Sequence, residues 1–193
     1  MARPQSKDFD KRKDGILAIA AQLFALRGFL GASVSDLAER CNTSKSLIYH
    51  YYPSKEDILY AVMSKHLDDL LAVAENDTGI DSPRLRLRTR TREFMRLYVD
   101  AADFQKVLLN DLDNLPASRR GDIVERQRKI IAVIDKDLNE ITGNTDSGLP
   151  RTMLFFGMIN WAHTWFKPNK GLSAEQFADL VVDTMLNGVD NNH

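Results

Sequence analysis

The sequence has one cysteine, Cys41, and lacks the residue patterns of the common enzyme centres. A single cysteine excludes an intramolecular disulfide and a thiolate zinc site, and it suits a reducing compartment. The histidines stand far apart, without the spacing of metal ligands: His50, His66, His163 and His193. There is no glycine-rich phosphate loop, no G-x-S-x-G and no H-E-x-x-H motif. We therefore predict no catalytic residues, no metal site and no cofactor.

Long hydrophobic runs are also missing. The first 14 residues are polar and contain no apolar signal core. The longest strongly apolar run, 153–165, is interrupted by Asn160 and His163 and is too short to span a bilayer as a helix. A hydrophobic content of 44%, with 10 Gly and 6 Pro in 193 residues, is that of a globular chain. These features predict a soluble, cytoplasmic protein with no membrane partner.

The net charge of −1 is unevenly distributed along the chain. Residues 1–55 carry 9 Lys or Arg and 5 Asp or Glu, a net charge of +4, so that the remainder carries −5. A mildly basic head on an acidic body fits a reader of DNA that has a separate second domain.

The stretch from Ser33 to Leu59 is the most informative part of the sequence. The apolar positions of a first short helix share one face: Val34, Leu37, Ala38 and Cys41. Ser33 can cap this helix, with Asp36 three residues later at the capping-box position. Asn42 follows, and asparagine tolerates the left-handed conformation that a sharp turn needs.

A second short helix comes directly after this turn. Thr43 or Ser44 caps it, and Pro53 ends it. Its spacing places Ile48 and Tyr52 inward. The residues placed outward are Lys45, Ser46, Tyr49 and His50. Ser54 then opens a third helix. Two short helices joined by a tight turn form a helix-turn-helix motif, whose second helix lies in the DNA major groove.

The stretch resembles the DNA-binding domain of TetR-family transcriptional repressors. Their motif has a small polar turn followed by S-K-x-x-(L/I)-Y-x-(Y/H)-(F/Y)-x-(S/N)-K-E. The matching residues are Ser44, Lys45, Ile48, Tyr49, Tyr51, Tyr52, Ser54, Lys55 and Glu56. The sequence departs from the family at Asn42, where Gly is usual, at Ser46, where Gly or another small residue is usual, and at Leu47, where Thr or Ser is frequent. Leu47 could contact a thymine methyl group instead of a phosphate.

The resemblance implies an all-α fold and a transcriptional repressor. A three-helix DNA-binding head with the helix-turn-helix would occupy 1–55, and a helical ligand-binding and dimerisation domain would occupy 56–193. A homodimer would bind a palindromic double-stranded DNA operator. The DNA-binding residues implied are Ser33, Thr43, Ser44, Lys45, Ser46, Tyr49, His50 and Lys55.

The rest of the chain also has helical spacing. We expect a flexible tail over 1–9, either solvated or reaching phosphates, and a helix over about 10–27. Gly28 would end that helix, with Phe29 folding back on Phe24. Another helix should run over 54–75. Residues 83–102 alternate as a strand does, yet Leu87, Phe94, Met95, Tyr98 and Ala101 fit a helix better.

Four arginines on this predicted helix recur at every fourth residue: Arg84, Arg88, Arg92 and Arg96. They would share one face, and like charges so spaced repel weakly. One interpretation is a solvated face paired with acidic neighbours, which charge runs usually are. The other is an anion-binding stripe for ligand phosphates.

The second half of the chain is similar to the branch of the TetR family that responds to fatty-acyl or other acyl-CoA thioesters. The similarity rests on NLPASRR at 114–120, R-x-R at 126–128 and INWAHTWFKPNKGLS at 159–173. Arginines could hold the CoA phosphates, and apolar residues could line an acyl channel. The candidate ligand-binding residues are Arg88, Arg92, Phe94, Met95, Arg119, Arg120, Arg126, Phe156, Asn160, Trp161 and Trp165.

Simpler interpretations of this region remain open. Aromatic and Met residues at helical spacing are more often plain core. The segment 151–166 is apolar nearly all round, which favours a core on one side and a partner subunit on the other. Asn160 and His163 within it need polar partners. Two alternatives to an acyl-CoA-responsive repressor are a repressor induced by a hydrophobic drug or metabolite, and a helical lipid-binding protein without DNA binding.

Overall fold

The computed structural model describes residues 5–76, 79–143, 148–168 and 170–188, and within these ranges all regular structure is helical. The helices are α1 (Gln5–Gly31), α2 (Val34–Arg40), α3 (Lys45–Tyr51), α4 (Lys55–Glu75), α5 (Pro83–Asp100), α6 (Ala102–Asn110), α7 (Ala117–Thr142), α8 (Leu149–Trp165) and α9 (Ala174–Asn187), with a short 3-10 helix at Leu112–Asn114. The predicted all-α class is confirmed.

The chain divides into two compact units. One contains residues up to 66 together with 103–123, and the other contains 67–102 and the residues from 124 onward. The first unit therefore includes α1 to α3, the first half of α4, α6 and the start of α7. The domain boundary after residue 55 stays a prediction.

Helix α1 differs from the predicted helix at its beginning. It starts at Gln5, so that residues 5–9, expected in a flexible tail, are helical, while Arg3 lies outside the described residues. Its end agrees with the prediction. Gly28 has φ 72° and ψ 160°, which interrupts the helix, and the rings of Phe24 and Phe29 lie 5.6 Å apart between centroids. Only glycine adopts this backbone conformation without strain.

The part of α1 over Lys11–Gly31 is 21 residues long and has a mean hydropathy of 1.4. By length and composition alone, it could cross a membrane. Its apolar face instead fills the core of the first unit. Ile16, Ala20, Leu23 and Phe24 are at most 4% exposed. Burial against α2, which packs on α1, accounts for this composition.

In the second unit, the segment 83–100 is a helix and not a strand. Ser82 caps α5, and Pro83 occupies its first turn. The buried side of α5 carries Leu87, Phe94 and Met95, and the helix packs against α9. Helix α9 begins at a capping box, in which the Gln176 N–H donates to Ser173 Oγ at 3.1 Å. It ends at Gly188, which has φ 79°.

Candidate functional site

The helix-turn-helix begins with a reciprocal cap on α2. The Asp36 N–H donates to Ser33 Oγ at 3.1 Å, and the Ser33 N–H donates to Asp36 Oδ2 at 3.0 Å. Arg27 Nη1 also donates to Asp36, at 3.0 Å. The hydrogen bonds from Ser33, and then Arg27, hold the pKa of the Asp36 carboxyl below its ordinary value. The cap therefore fixes where α2 starts, and it involves Ser33, one of the residues predicted to bind DNA.

The turn between α2 and α3 has the predicted left-handed residue. Asn42 has φ 48°, the only positive φ of a non-glycine residue in the described chain. The Thr43 N–H then donates to the Ala38 carbonyl at 2.9 Å, which closes the turn. Ser44 is the N-cap of α3, because its Oγ accepts from the Leu47 N–H at 3.2 Å.

Helix α3 has a buried side and an exposed side, as predicted. Ile48 is fully buried, and Tyr52 directly after the helix is 4% exposed. Tyr49 is 47% exposed. The other predicted DNA-binding residues on the outer side are also exposed: Ser44, Lys45, Ser46 and His50. Side chains four apart on a helix are neighbours, so Lys45 lies beside Tyr49 and Ser46 beside His50. This surface offers a cation, hydroxyl groups and rings to DNA.

Lys55 is placed differently from this surface. Its Nζ donates to the carbonyl of Phe29 at 2.8 Å and to that of Ala32 at 2.9 Å. It also lies 4.1 Å from the centroid of the Phe29 ring. Asp111 accepts the Phe29 N–H at 3.2 Å. Two of the three ammonium donors of Lys55 are therefore occupied at the end of α1, and its predicted contact with DNA stays a prediction.

The start of α1 contributes to this region in a way that sequence reasoning missed. The Phe9 ring lies 4.7 Å from the Tyr51 ring between centroids. Arg12 lines a cavity of about 290 Å³ together with Asn42, Thr43 and Leu47 of the turn. The signal was Phe9, which precedes the apolar Ile16 by seven residues and so extends the helical pattern of α1 toward the N-terminus.

Three of the four arginines in the stripe on α5 form a ladder of ion pairs with α9: Arg88, Arg92 and Arg96. Arg92 donates to both carboxylate oxygens of Asp179, at 2.8 and 2.7 Å. Arg88 pairs with Asp183, and Arg96 with Glu175. The hydrogen bond from Arg92 lowers the pKa of the Asp179 carboxyl. These contacts match the expectation of arginines paired with acidic neighbours.

The remaining candidate arginines also have acidic partners, but elsewhere. In the first unit, Arg119 forms an ion pair with Asp57, and its guanidinium lies 4.6 Å from the Tyr60 ring centroid. Arg120 lies 3.3 Å from Asp113 in an exposed pair. In the second unit, Arg126 pairs with Asp68. Each of these three arginines therefore has an acidic partner within its own unit.

The apolar candidates fall into a buried group and an exposed group. Phe94, Met95 and Phe156 are at most 8% exposed and belong to the core. Trp161 and Trp165, by contrast, are 64% and 54% exposed on the outer side of α8. This outer side also carries Met153 and Leu154, which are likewise exposed.

The polar residues of α8 find partners within their own chain. Asn160 Oδ1 accepts from the Tyr98 hydroxyl at 2.8 Å, and His163 Nδ1 lies 2.7 Å from the Asn160 carbonyl. The polar partners that Asn160 and His163 were expected to need are therefore present, at least in part, within the chain itself.

The residues that the structure describes contain few groups suited to nucleophilic chemistry or metal binding. Burial raises the pKa of the half-buried Cys41 thiol, which keeps it protonated and unreactive near neutral pH. Within the described ranges, no three His, Cys, Asp or Glu side chains are grouped so as to hold a metal ion.

Comparison with known proteins gives consistent matches along the chain. The family model "Bacterial regulatory proteins, tetR family" matches residues 16–62, and the model "Tetracyclin repressor-like, C-terminal domain" matches residues 81–189. The chain is 27% identical over 190 residues to the HTH-type transcriptional repressor KstR2 of Mycolicibacterium smegmatis, covering 92% of this chain and 90% of that protein.

Two solved structures are similar to the whole described fold. A TetR-family transcriptional regulator from Bordetella parapertussis 12822 has a TM-score of 0.86 and 34% identity, covering 91% of this chain and 94% of that one. The structure of AibR in complex with isovaleryl coenzyme A and operator DNA has a TM-score of 0.79 and 27% identity, covering 90% of this chain and 97% of that one.

Proposed function

The chain belongs to the TetR family of bacterial regulatory proteins, which are DNA-binding transcription regulators and not enzymes, and we propose that it is a repressor released from its operator by an acyl-CoA thioester. It binds a palindromic operator as a homodimer in the cytoplasm. Ligand favours a spacing of the two heads that cannot reach both half-sites, in proportion to its difference in affinity between the two states.

The observation that carries the DNA-binding part is the outer side of α3. The helix is capped by Ser44 and anchored by the buried Ile48, so that Lys45 and Tyr49 are held on a rigid element. Lysine neutralises phosphates, and a tyrosine hydroxyl can bond phosphates or base edges. Ser33, Thr43, Ser46 and His50 complete the proposed DNA contacts. Lys55 contributes to DNA binding by holding the start of α4 at the end of α1.

The acyl-CoA part is supported by relatives and by sequence motifs. AibR, at 27% identity, was crystallised with isovaleryl coenzyme A and operator DNA, and the motifs at 114–120 and 159–173 resemble the same branch. We propose that Arg119, Arg120 and Arg126 hold CoA phosphates, together with Arg88 and Arg92. The residues proposed to meet the remainder of the ligand are Phe94, Met95, Phe156, Asn160, Trp161 and Trp165.

The ion-pair ladder favours a second candidate. Arg88 and Arg92 already bind acidic residues of α9, and a CoA phosphate would have to displace those carboxylates. An inducer without phosphates, such as a hydrophobic drug or metabolite, would leave the ladder intact. The two candidates therefore differ in whether these arginines contribute to ligand affinity.

The homodimer is supported by the exposed apolar side of α8. Met153, Leu154, Trp161 and Trp165 are each at least 50% exposed, and Leu180 on α9 is 52% exposed. Large apolar side chains grouped on one surface are typical of an interaction site. A second copy of the chain that covers this surface would bury them.

The test is binding to the DNA upstream of the protein's own gene, followed by fluorescence anisotropy with and without a panel of acyl-CoAs and free acids. We expect salt-sensitive binding that one CoA thioester relieves and its free acid does not. Relief that is unchanged in Arg92→Gln and Arg119→Gln variants would exclude these residues from the ligand site.

Two other results would change the proposal. Tight, salt-sensitive binding that no CoA compound relieves would keep the regulator and refute the acyl-CoA assignment. Absence of any salt-dependent DNA binding would refute the repressor and favour a lipid-binding protein.

A further inference from the structure

The second compact unit contains a cavity that none of the predicted ligand-binding residues lines. Its volume is about 650 Å³, within the range of small-molecule sites. The walls come from the end of α4, the segment before α5, the start of α5 and the C-terminal half of α7. It is therefore a separate candidate site from the acyl-CoA residues named above.

A buried arginine in the cavity wall has an unused hydrogen-bond donor. Arg90 is only 9% exposed, and its Nη1 donates to Asp137, which is 1% exposed. The buried Nε of Arg90 has no hydrogen-bond partner in the described part of the chain. A buried donor without an acceptor destabilises a protein, and buried polar groups are nearly always paired. An acceptor supplied by a ligand would remove this cost.

The charges around Arg90 favour an anion with a single charge. Arg86 donates through Nε to Asp137 at 3.1 Å and also pairs with Glu140. Among the charged wall residues that are not exposed, Arg86 and Arg90 are cations and Asp137 is the one carboxylate. One positive charge is left over on this side. The other charged wall residues are exposed, where water screens them: Glu75, Asp81, Lys136 and Glu140.

The rest of the wall is partly apolar. Ala74 is fully buried, and Ile80 and Val133 are half-buried. We propose that the cavity binds a small organic monocarboxylate, with its carboxylate at Arg90 and its apolar body against Ile80 and Val133. Arginine binds carboxylates in a planar, bidentate geometry. A phosphate dianion is disfavoured, since Asp137 and Glu140 lie beside the site. This inference does not depend on the acyl-CoA proposal.

The test is isothermal titration calorimetry of the full chain with acetate, butyrate and benzoate at constant ionic strength. Butyramide is the neutral match for butyrate, and inorganic phosphate and coenzyme A are the other anions. We expect saturable binding of at least one monocarboxylate and at least tenfold weaker binding of the amide, the phosphate and coenzyme A.

Three variants place the binding in this cavity. Val133→Phe fills the cavity without changing a charge and should abolish binding. Arg90→Lys keeps a cation for Asp137 but loses the Nε donor, and it should weaken binding at least tenfold. Lys129→Ala, on an exposed part of α7 outside the cavity, should bind as the wild type does. A thermal melt of each variant verifies that it folds.

Any of the following results would overturn the proposal. Butyramide that binds as well as butyrate would remove the role of the carboxylate. Phosphate or coenzyme A that binds more tightly would mean that the site takes phosphates. Wild-type affinity in folded Val133→Phe, or no saturable binding of any carboxylate in the millimolar range, would mean that the cavity is not a site for these acids.

Discussion

Replacing Lys55 by methionine separates the two roles that this lysine can have. In the family motif the residue is a DNA contact, but in this structure its ammonium group binds the Phe29 and Ala32 carbonyls and lies over the Phe29 ring. Methionine keeps an unbranched apolar side chain and removes both the charge and the donors. The change therefore breaks the attachment of α4 to the end of α1 while most of the packing remains.

The expected cost of Lys55→Met follows from these contacts. Hydrogen bonds to charged groups contribute about 1.5–3 kcal/mol each, and an exposed cation–π contact about 0.5–1 kcal/mol. Lys55 is half-buried, so water replaces part of what is lost. We expect the free energy of unfolding to fall by about 2–3 kcal/mol, which lowers Tm by roughly 4–12 °C in a chain of this size. Urea and thermal denaturation measure both.

The matched control is Lys45→Met. Lys45 is exposed on α3, so that its loss should change stability by less than about 0.5 kcal/mol. If Lys45 binds one phosphate, the slope of log K against log[salt] should fall by about one. Lys55→Met should leave that slope unchanged, because its charge is committed to backbone carbonyls. Wild-type stability in Lys55→Met, together with a slope reduced by about one, would refute this reasoning.

Three further predictions concern the fold and the dimer. Arg92→Ala and Asp179→Ala should each destabilise the chain by about 1 kcal/mol, with a coupling energy of about 0.5–1 kcal/mol in a double-mutant cycle. Because Arg92 lowers the pKa of the folded Asp179 carboxyl, this coupling energy should be fully present above the unfolded carboxyl pKa of about 3.9. It should be lost as the pH falls through the lower pKa of the folded state. Gly28→Ala should lower the free energy of unfolding by about 1–3 kcal/mol because φ is 72° there. Gly15→Ala, in open space inside α1, should raise it by about 0.5–1 kcal/mol. Equal effects of the two variants in denaturant melts would contradict the backbone argument. Trp161→Glu should leave the monomer fold intact and weaken self-association by at least about 2 kcal/mol in sedimentation, and an unchanged dimer would exclude this surface.

The parts of the fold that sequence predicted well are those decided locally. The caps at Ser33 and Ser44 depend on hydrogen bonds across three residues, and the turn at Asn42 depends on one backbone conformation. The helix at 83–100 was also predictable, since apolar spacing decided against the strand-like alternation. These features need no knowledge of which helix packs on which.

The features of the fold and of the candidate site that could not be predicted from the sequence depend on contacts between segments far apart in the chain. From the sequence alone, the arginines of α5 could face solvent, acidic partners or a ligand, because the residues near them in the chain do not show which helix packs against α5. A signal was present: Glu175, Asp179 and Asp183 recur every fourth residue, with the same period as the arginines of α5. Lys55 could not be assigned for the same reason, since its acceptors lie 23 and 26 residues away.

The hydrogen bond from the Phe29 N–H to Asp111 limits which segments of this protein can be exchanged with another regulator. The acceptor of the Phe29 N–H lies 82 residues further along the chain, in a segment, 103–123, that folds with the N-terminal helices. A hybrid gene that joins only the N-terminal helices to another regulator would lose this acceptor and leave a donor unsatisfied. New operator specificity in such hybrids should therefore come more easily from exchanging residues on α3 than from exchanging whole N-terminal segments.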